Sequence, residues 1–272
     1  MNPSYPINAL IESINSLINK QIGEAVTQFL FFVLLRATMK ADPVEKECIS
    51  CLICPNKSIL FSALNEEELA FLNCHKKQLI VKKGGVIVCE GETVSRLIYL
   101  KQGLLKLYKQ EKSSSEQILG ITQPFDFVGF LSVFSNEQHP FSIAAIEDSA
   151  VCTIDMNCIR QLIRQNGNFA LKVIESMSKI SDQLLVTHFE LNSKNLRGRI
   201  AYILLYFSES IYKKTEFELP ISRKEVAELI NMTTENVIRI LSEFRKDNVI
   251  DIDGKAIRIL HPELLRKISE SG

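Results

Sequence analysis

The chain has no excess charge of either sign: 32 Lys and Arg stand against 32 Asp and Glu in 272 residues. No global field therefore announces a nucleic-acid partner. Even from Leu191 to Gly272 the count is only 14 basic against 12 acidic residues, so any DNA reading must rest on motif. No apolar run approaches the roughly 20 residues that span a bilayer. The longest, Phe29 to Leu35, is bounded by Glu24, Gln28 and Arg36 and reads as the buried side of a helix. Tryptophan is absent, which excludes nothing. No signal-peptide pattern opens the chain. Its seven cysteines therefore point to a reducing cytoplasm and to metal or redox chemistry rather than a disulfide framework.

What is present is a length and a 46% hydrophobic content sufficient for two domains. Residues 1 to about 40 show helical spacing, as in Ile11, Ile14, Leu17, Ile18 and Ile22. A short helix is expected from Asn65 to Asn73. From Leu79 to Thr153 the pattern shortens to alternating runs, such as Val86–Cys89, Arg96–Leu100 and Leu104–Tyr108. Glycine pairs and Ser113-Ser114-Ser115 punctuate them, which predicts an antiparallel sandwich or roll. From Asn157 to about Asn192 the chain reads as helix. Val173, Met177, Ile180, Leu184, Thr187 and Leu191 alternate by four and three along it. That is a heptad stripe with one polar break, fitting a dimer seam or a helix laid on its own domain. The need of a DNA reader for two half-sites favours the seam.

The most informative stretch is Ser222 to Leu241. Ser222 and Glu225 form the S-x-x-E capping box of a first helix. Asn231 sits where a tight turn needs φ > 0. Val237, Ile240, Leu241 and Phe244 face inward on a second helix, opposite Thr233, Thr234, Glu235, Asn236 and Arg239. This is the layout of a helix-turn-helix whose second helix enters the major groove; a helical hairpin with solvated charges is the other reading of the segment taken alone. Glu235 can accept from cytosine N4 and Arg239 can donate twice to guanine, while Ile238 suits a thymine methyl. Ser222 and Arg223 complete the expected contact set. Two apolar runs around Asp253-Gly254 form a hairpin that makes the unit a winged helix-turn-helix.

In this order the chain resembles the Crp/Fnr transcription regulators over about residues 47 to 272. The likeness is carried by Lys83-Gly84-Gly85-Val86, Leu100 to Lys106, Asp126-Phe127-Val128-Gly129-Phe130, Ser222 to Ala227 and Thr234 to Leu241. His139-Pro140 and Val151-Cys152-Thr153-Ile154 look most like the Fnr branch. The resemblance implies an α+β fold: an antiparallel β-roll (cyclic-nucleotide-binding-like, a double-stranded jelly roll), a long dimerisation helix and a C-terminal winged helix-turn-helix. The expected divisions are a helical extension at 1–46, a sensor roll with a Cys-rich start at 47–160, a dimerisation helix at 161–196 and the DNA-binding domain at 197–272. Family members often begin near Met39, which makes the upstream segment a candidate start-site artefact. Implied partners are a second copy, a palindromic double-stranded DNA with a TGA-like core, and RNA polymerase, with no membrane. A signal at the roll would act through the long helix on the spacing of the reading heads.

The cyclic-AMP branch holds its phosphate with Arg-Ser and its ribose with a Glu after Gly. Here the matching residues are Pro140, Phe141 and Ser142, with Phe130 after Gly129, and no Lys or Arg occurs from Ser113 to Ile159. A buried phosphate needs a charged donor, so cyclic AMP is not the expected effector. A sensor of haem or another small ligand is the alternative. A cupin-like metalloenzyme would share the roll, but of His75, His139, His188 and His261 only His139 lies in the strand region, and a metal there needs a histidine pair. No catalytic residues are assigned.

Cys48, Cys51 and Cys54 recur at two-residue gaps, and thiolates so spaced can wrap one face of an iron–sulfur cluster. Cys152 matches the distant ligand of the Fnr branch, which implies a [4Fe–4S] cluster on Cys48, Cys51, Cys54 and Cys152. The triple departs from the oxygen-sensing pattern, whose third cysteine would fall near Ile59 and Leu60. Zinc on thiolates and a set of reduced structural thiols are the other readings. Cys74, Cys89 and Cys158 read as small core residues.

Overall fold

The computed structural model describes residues 43–46, 49–110 and 116–272. The predicted N-terminal helices up to residue 40, Cys48 and the Ser113–Ser115 turn lie outside them. Val44–Lys46, assigned above to a helical extension, is instead a short strand, β1, pairing antiparallel with β2 (Lys76–Val81).

Between them a 3-10 turn at Ile59–Ala63 leads into α1 (Glu66–Cys74). Asn65 caps α1, accepting from the Glu68 N–H at 2.9 Å while the Glu68 carboxylate accepts from the Asn65 N–H. This reciprocal box satisfies two donors that the first turn leaves open.

The roll is two antiparallel sheets. β3 (Val86–Val88), β4 (Arg96–Gln102), β5 (Leu105–Gln110), β6 (Glu116–Thr122), β7 (Phe127–Val128), β8 (Ser142–Ala145) and β9 (Ser149–Asp155) supply the remaining strands. One sheet runs β1-β2-β9-β4-β7 and the other β3-β8-β5-β6. Period-two alternation splits the first sheet. Leu79, Ile98, Leu100 and Val151 face the second sheet across a core with Val88, Leu105 and Ile143. Leu97 and Ile154 point the other way, into a core shared with Phe61, Leu72, Phe130, Ile159 and Phe169. Gly103 turns the chain between β4 and β5 at φ +87°, and a Cβ there would stand 2.6 Å from the Asp148 carbonyl, so glycine is required.

The long helix expected from Asn157 is two. α2 (Met156–Gln165) ends at Asn166, and α3 (Gly167–Ser193) begins there. The Asn166 carboxamide accepts from the Phe169 N–H at 3.0 Å and donates to Glu68 and to the Ala63 carbonyl. An N-cap of this kind starts a new helix in a new direction, which hydrophobic period alone does not reveal.

α4 (Leu196–Leu205) continues as a π turn, Tyr206–Tyr212, which the sequence did not signal. β10 (Glu216–Glu218), α5 (Arg223–Leu229), α6 (Thr234–Lys246), β11 (Ile250–Asp253), β12 (Ala256–Ile259) and α7 (Pro262–Ser271) follow. β10 joins the predicted hairpin as a third strand, in the order β10-β12-β11.

Candidate functional site

The two helices of the turn are positioned as the sequence predicts. Ser222 Oγ accepts from the Glu225 N–H at 3.2 Å, and Glu225 Oε2 accepts from the Ser222 N–H at 2.9 Å. Asn231 turns the chain at φ +52°. The Met232 N–H then donates to the Ala227 carbonyl at 2.8 Å, a close approach that the small, buried Ala227 permits. Arg199 donates to the carbonyls of Ile230 and Asn231, fastening the turn to α4. Val237, Ile240 and Phe244 are fully buried and Leu241 nearly so. Burying each is worth about 1.5–3 kcal/mol, enough to fix which face of α6 remains outside.

That outer face starts at Thr233, whose Oγ1 accepts from the Asn236 N–H at 3.3 Å. Thr233, Glu235, Ile238 and Arg239 are exposed, and Thr234 and Asn236 half-buried. A hydrogen bond from its own backbone N–H, then one from Thr233, holds the Glu235 carboxyl below the usual range, so it is an acceptor at neutral pH. Arg239 donates to Glu243 Oε1 at 2.5 Å and to Asn236 Oδ1 at 3.3 Å. Two of the expected contact residues are committed locally. Ser222 is spent on the cap, and Arg223 donates to the Gly254 carbonyl at 3.1 Å. Arg223 therefore braces the wing tip, where Gly254 turns at φ +57°.

Sequence reasoning missed the seat of this unit. Lys106 on β5 donates from Nζ to Glu225 Oε1 at 2.8 Å and to Glu116 Oε2 at 2.6 Å, with its side chain only 12% exposed. Glu225 thus serves the helix cap with one oxygen and the roll with the other. Burial alone would raise the Glu225 carboxyl, but the bonds from Lys106 and Ser222 hold it below the ordinary value. Burial likewise works against the Lys106 charge, and the two carboxylates more than offset it. Tyr212 also donates to Glu147, which lies between β8 and β9.

The apolar stripe of α3 is divided. Val173 is buried in the chain's own core, with Met177 and Ile180 packed against that core. Leu191 packs against the core of the C-terminal unit, and Thr187 is half-buried. Of the expected seam, Leu184 is exposed. Val173 has little surface left for a second copy, while Met177 and Ile180 are half-buried. At 3.6 residues per turn, Leu171, Ile174, Leu185 and Phe189 share a different face, and they are 60%, 59%, 67% and 72% exposed.

The cysteines are partly gathered. Cys152 on β9 pairs across to Tyr99 on β4 and Gln78 on β2. Burial first, then the thiols of Cys54 and Cys152, the Asp126 carboxyl and Cys51, push the Tyr99 hydroxyl far above its ordinary value. The Tyr99 O–H donates to the Asn56 carbonyl at 3.0 Å, which fastens the turn after Cys54 to β4. Lys76 Nζ donates to Cys51 Sγ at 3.0 Å. Among the described residues no three His, Cys, Asp or Glu side chains form a group that holds a metal ion, and Cys48 is not among those residues. The donor chemistry, soft sulfur on a short segment facing a sheet, suits an iron–sulfur cluster. Ile59 is 75% exposed and Leu60 is buried, so the missing third cysteine of the Fnr pattern is replaced by the foot of the core. Cys158 is buried, which pushes its thiol up to about 11, in keeping with a core role.

At the matching nucleotide positions, the Phe141 ring lies against Gly129. Ser142 Oγ accepts from the Glu90 N–H at 2.9 Å.

Comparison with known proteins agrees with this architecture. Residues 78–166 match the cyclic nucleotide-binding domain, and residues 198–268 match the Crp-like helix-turn-helix domain. The chain is 30% identical over 215 residues to the fumarate and nitrate reduction regulatory protein of Yersinia pestis, covering 76% of this chain and 84% of that one. It is 28% identical over 225 residues to the transcriptional activator protein Anr of Pseudomonas protegens, covering 80% and 90%. Among solved structures, a regulator of the Crp/Fnr family from Eubacterium rectale superposes with a TM-score of 0.65 at 21% identity, over 78% of this chain and 98% of the other.

Proposed function

As the chain belongs to the Crp/Fnr family of DNA-binding transcription regulators, we propose that it reads a palindromic site as a dimer, through Glu235, Ile238 and Arg239 of α6. The observation that supports this is the outer face of α6. It offers an ionised acceptor and a guanidinium four residues apart on one helix, beside an exposed isoleucine. Glu235 meets cytosine N4, Arg239 meets guanine, Ile238 meets a thymine methyl, and Thr233, Thr234 and Asn236 adjust flanking bases and phosphates. RNA polymerase is the further partner this role implies. It is a regulator, not an enzyme, of the cytoplasm. Among the described residues no helix is long and apolar enough to cross a membrane.

The test is binding of a labelled palindrome with a TGA-like core. Arg239→Ala should cost about 1–3 kcal/mol and relax one guanine position. Equal affinity and selectivity in that variant would remove Arg239 from the reading set.

The effector reading is a [4Fe–4S] cluster held by Cys48, Cys51, Cys54 and Cys152, supported by the cysteine spacing and by the bonds that tie the 51–56 segment to the strands flanking Cys152, Lys76 of β2 to Cys51 and Tyr99 of β4 to Asn56. When bound, the cluster would supply oxygen-sensitive ligation. The chain's own part is to bring the 48–54 segment against β9, which carries Cys152 beside β2 and β4.

A further inference from the structure

Between α3 and α4 the chain has two extended residues, Lys194 at φ −87°, ψ 144° and Asn195 at φ −70°, ψ 175°. Asn195 caps α4, its carboxamide oxygen accepting from the Gly198 N–H at 3.0 Å. A lysine at such a junction ordinarily reaches into water. Lys194 is only 8% exposed, and a buried ammonium has to be paired. Its Nζ pairs with Glu190 Oε2 on the last turn of α3 at 2.8 Å. It also donates to the Ser269 carbonyl on the last turn of α7 at 2.7 Å. The end of a helix leaves its carbonyls without partners inside the helix and carries partial negative charge, so α7 presents a ready acceptor. One ammonium ties the long helix to the C-terminal helix across the junction.

The same residue is linked to the reading helices. Its carbonyl accepts from Arg199 Nε at 3.1 Å, and Arg199 Nη1 reaches on to the carbonyls of Ile230 and Asn231 in the turn between α5 and α6. α7 lies so near α4 that a Cβ on Gly198 would stand 3.0 Å from Gly272 Cα and 3.3 Å from Lys194 Cβ. Ile200 and Leu204 of α4 and Leu265 of α7 share one core with Val237, Ile240 and Phe244 of α6. α4, α6 and α7 therefore turn together. With 10 residues, α4 is about 15 Å long. A swing of about 15° at its start would move its far end about 4 Å, more than the rise of about 3.4 Å between base pairs. The two bonds of Lys194 oppose that swing.

Given the dimeric reading proposed above, on which this rests, we propose that Lys194 is a positioning residue: it fixes the angle of the DNA-binding unit on α3, and with it the half-site spacing that two copies accept. Its bonds are made at the pivot, to the helices on either side of it, whereas Lys106 with Glu225 and Tyr212 with Glu147 hold the unit to the roll. Two linked heads bind more tightly than one only where geometry lets both engage, so a fixed angle is read out as a preferred spacing.

The experiment measures the affinity of the full chain, by fluorescence anisotropy, for four palindromes with TGA-like half-sites whose centres lie about 9, 10, 11 or 12 base pairs apart, around one helical turn. The parent should prefer one of the four over its neighbours by roughly tenfold or more, the advantage of two heads engaging together. In Lys194→Met that preference should fall to about threefold or less, with weaker binding at the parent's best spacing, while sedimentation still shows a folded dimer. Glu190→Ala is the second probe. Its side chain is 45% exposed and lies on α3, so its loss leaves the packing of the DNA-binding unit untouched, and it should lower the preference as well. A loss of stability alone would weaken all four complexes by the same factor and leave the preference in place. That result in Lys194→Met, or in Glu190→Ala should the first variant not fold, would overturn the proposal, because the roll contacts would then hold the angle without Lys194. A parent that binds no palindrome, or binds all four equally, would overturn the dimeric reading and the proposal with it.

Discussion

Glu243 accepts from two arginines at once, Arg239 at 2.5 Å and Arg197 at 2.8 Å. Arg197 is also held by Asp247 at 3.0 Å and by the Phe244 ring, so it has no need of Glu243 to stay in place. Arg239 must release Glu243 to reach a base. An exposed ion pair is worth about 0–1 kcal/mol, whereas a bidentate arginine–guanine contact is worth about 1–3 kcal/mol. The base wins, with a small deduction. Glu243→Gln should therefore tighten binding to the palindrome by up to about fivefold, the factor equal to about 1 kcal/mol, as read by fluorescence anisotropy. An unchanged affinity would mean that Arg239 does not leave Glu243 when the DNA is read. Single residues of this unit were well signalled in the sequence. Asn231 at φ +52° and the Ser222–Glu225 box follow from local chemistry, which a short window contains in full. Arg223 did not, because its partner is a backbone carbonyl on the wing, 31 residues away.

At the scale of elements, α5 is seated on the roll by one carboxylate. Lys106 and Glu225 are 119 residues apart, and no sequence pattern links a strand lysine to a capping glutamate at that distance. Lys106→Met would leave Glu225 and Glu116 facing each other without their cation. The expected cost is about 1–3 kcal/mol, that of stranding partly buried acceptors. The folded-state pKa of Glu225 is depressed, so its stabilisation is fully present above the ordinary glutamate value and disappears as pH falls through the lower folded value. Melting curves should thus separate parent from Lys106→Met at neutral pH and converge in acid. A gap that persists below the carboxylate range would assign the effect to packing of the lysine stem instead. The same reasoning by element applies to β9. Its alternation presents Cys152 to Tyr99 and Thr153 to the roll interior. Anaerobically prepared protein should contain iron and sulfide, and Cys152→Ser should lose both to elemental analysis. Full retention in that variant would exclude Cys152 as a ligand. The roll as a class and the wing were legible because short alternating runs and Asp253-Gly254 leave few alternatives, whereas the strand order within the sheets was not. The division of α3 from α2 was not, since Asn166 reads as an ordinary polar residue until its partners Glu68 and Ala63 are known.

For the whole molecule, the proposed dimer would have to hold its two reading heads about 34–36 Å apart, one turn of DNA. The roughly 40 Å length of α3, 27 residues at 1.5 Å each, suits an axis through this helix. A heptad alternation cannot say which partner it serves. A helix laid on its own roll and a helix paired with its twin both require apolar residues every three to four positions. The structure separates them by face: Val173, Met177 and Ile180 serve the chain's own core, whereas Leu171, Ile174, Leu185 and Phe189 are left in water. Exposed apolar residues of this kind, in two groups along one helix face, mark an association site, and we place the proposed dimer contact there. Leu185→Glu with Phe189→Glu would bury unpaired charge between two copies while leaving each roll intact. Sedimentation should then show folded monomers with much weakened DNA binding, because each head would bind without the other. Ile180→Ala should behave differently. It thins the edge of the core under α3, so its cost of about 1–2 kcal/mol should appear as a lower melting temperature with the dimer retained. If the outward double substitution leaves the dimer whole and Ile180→Ala dissociates it, the axis runs along the inward stripe and the outward face serves some other contact.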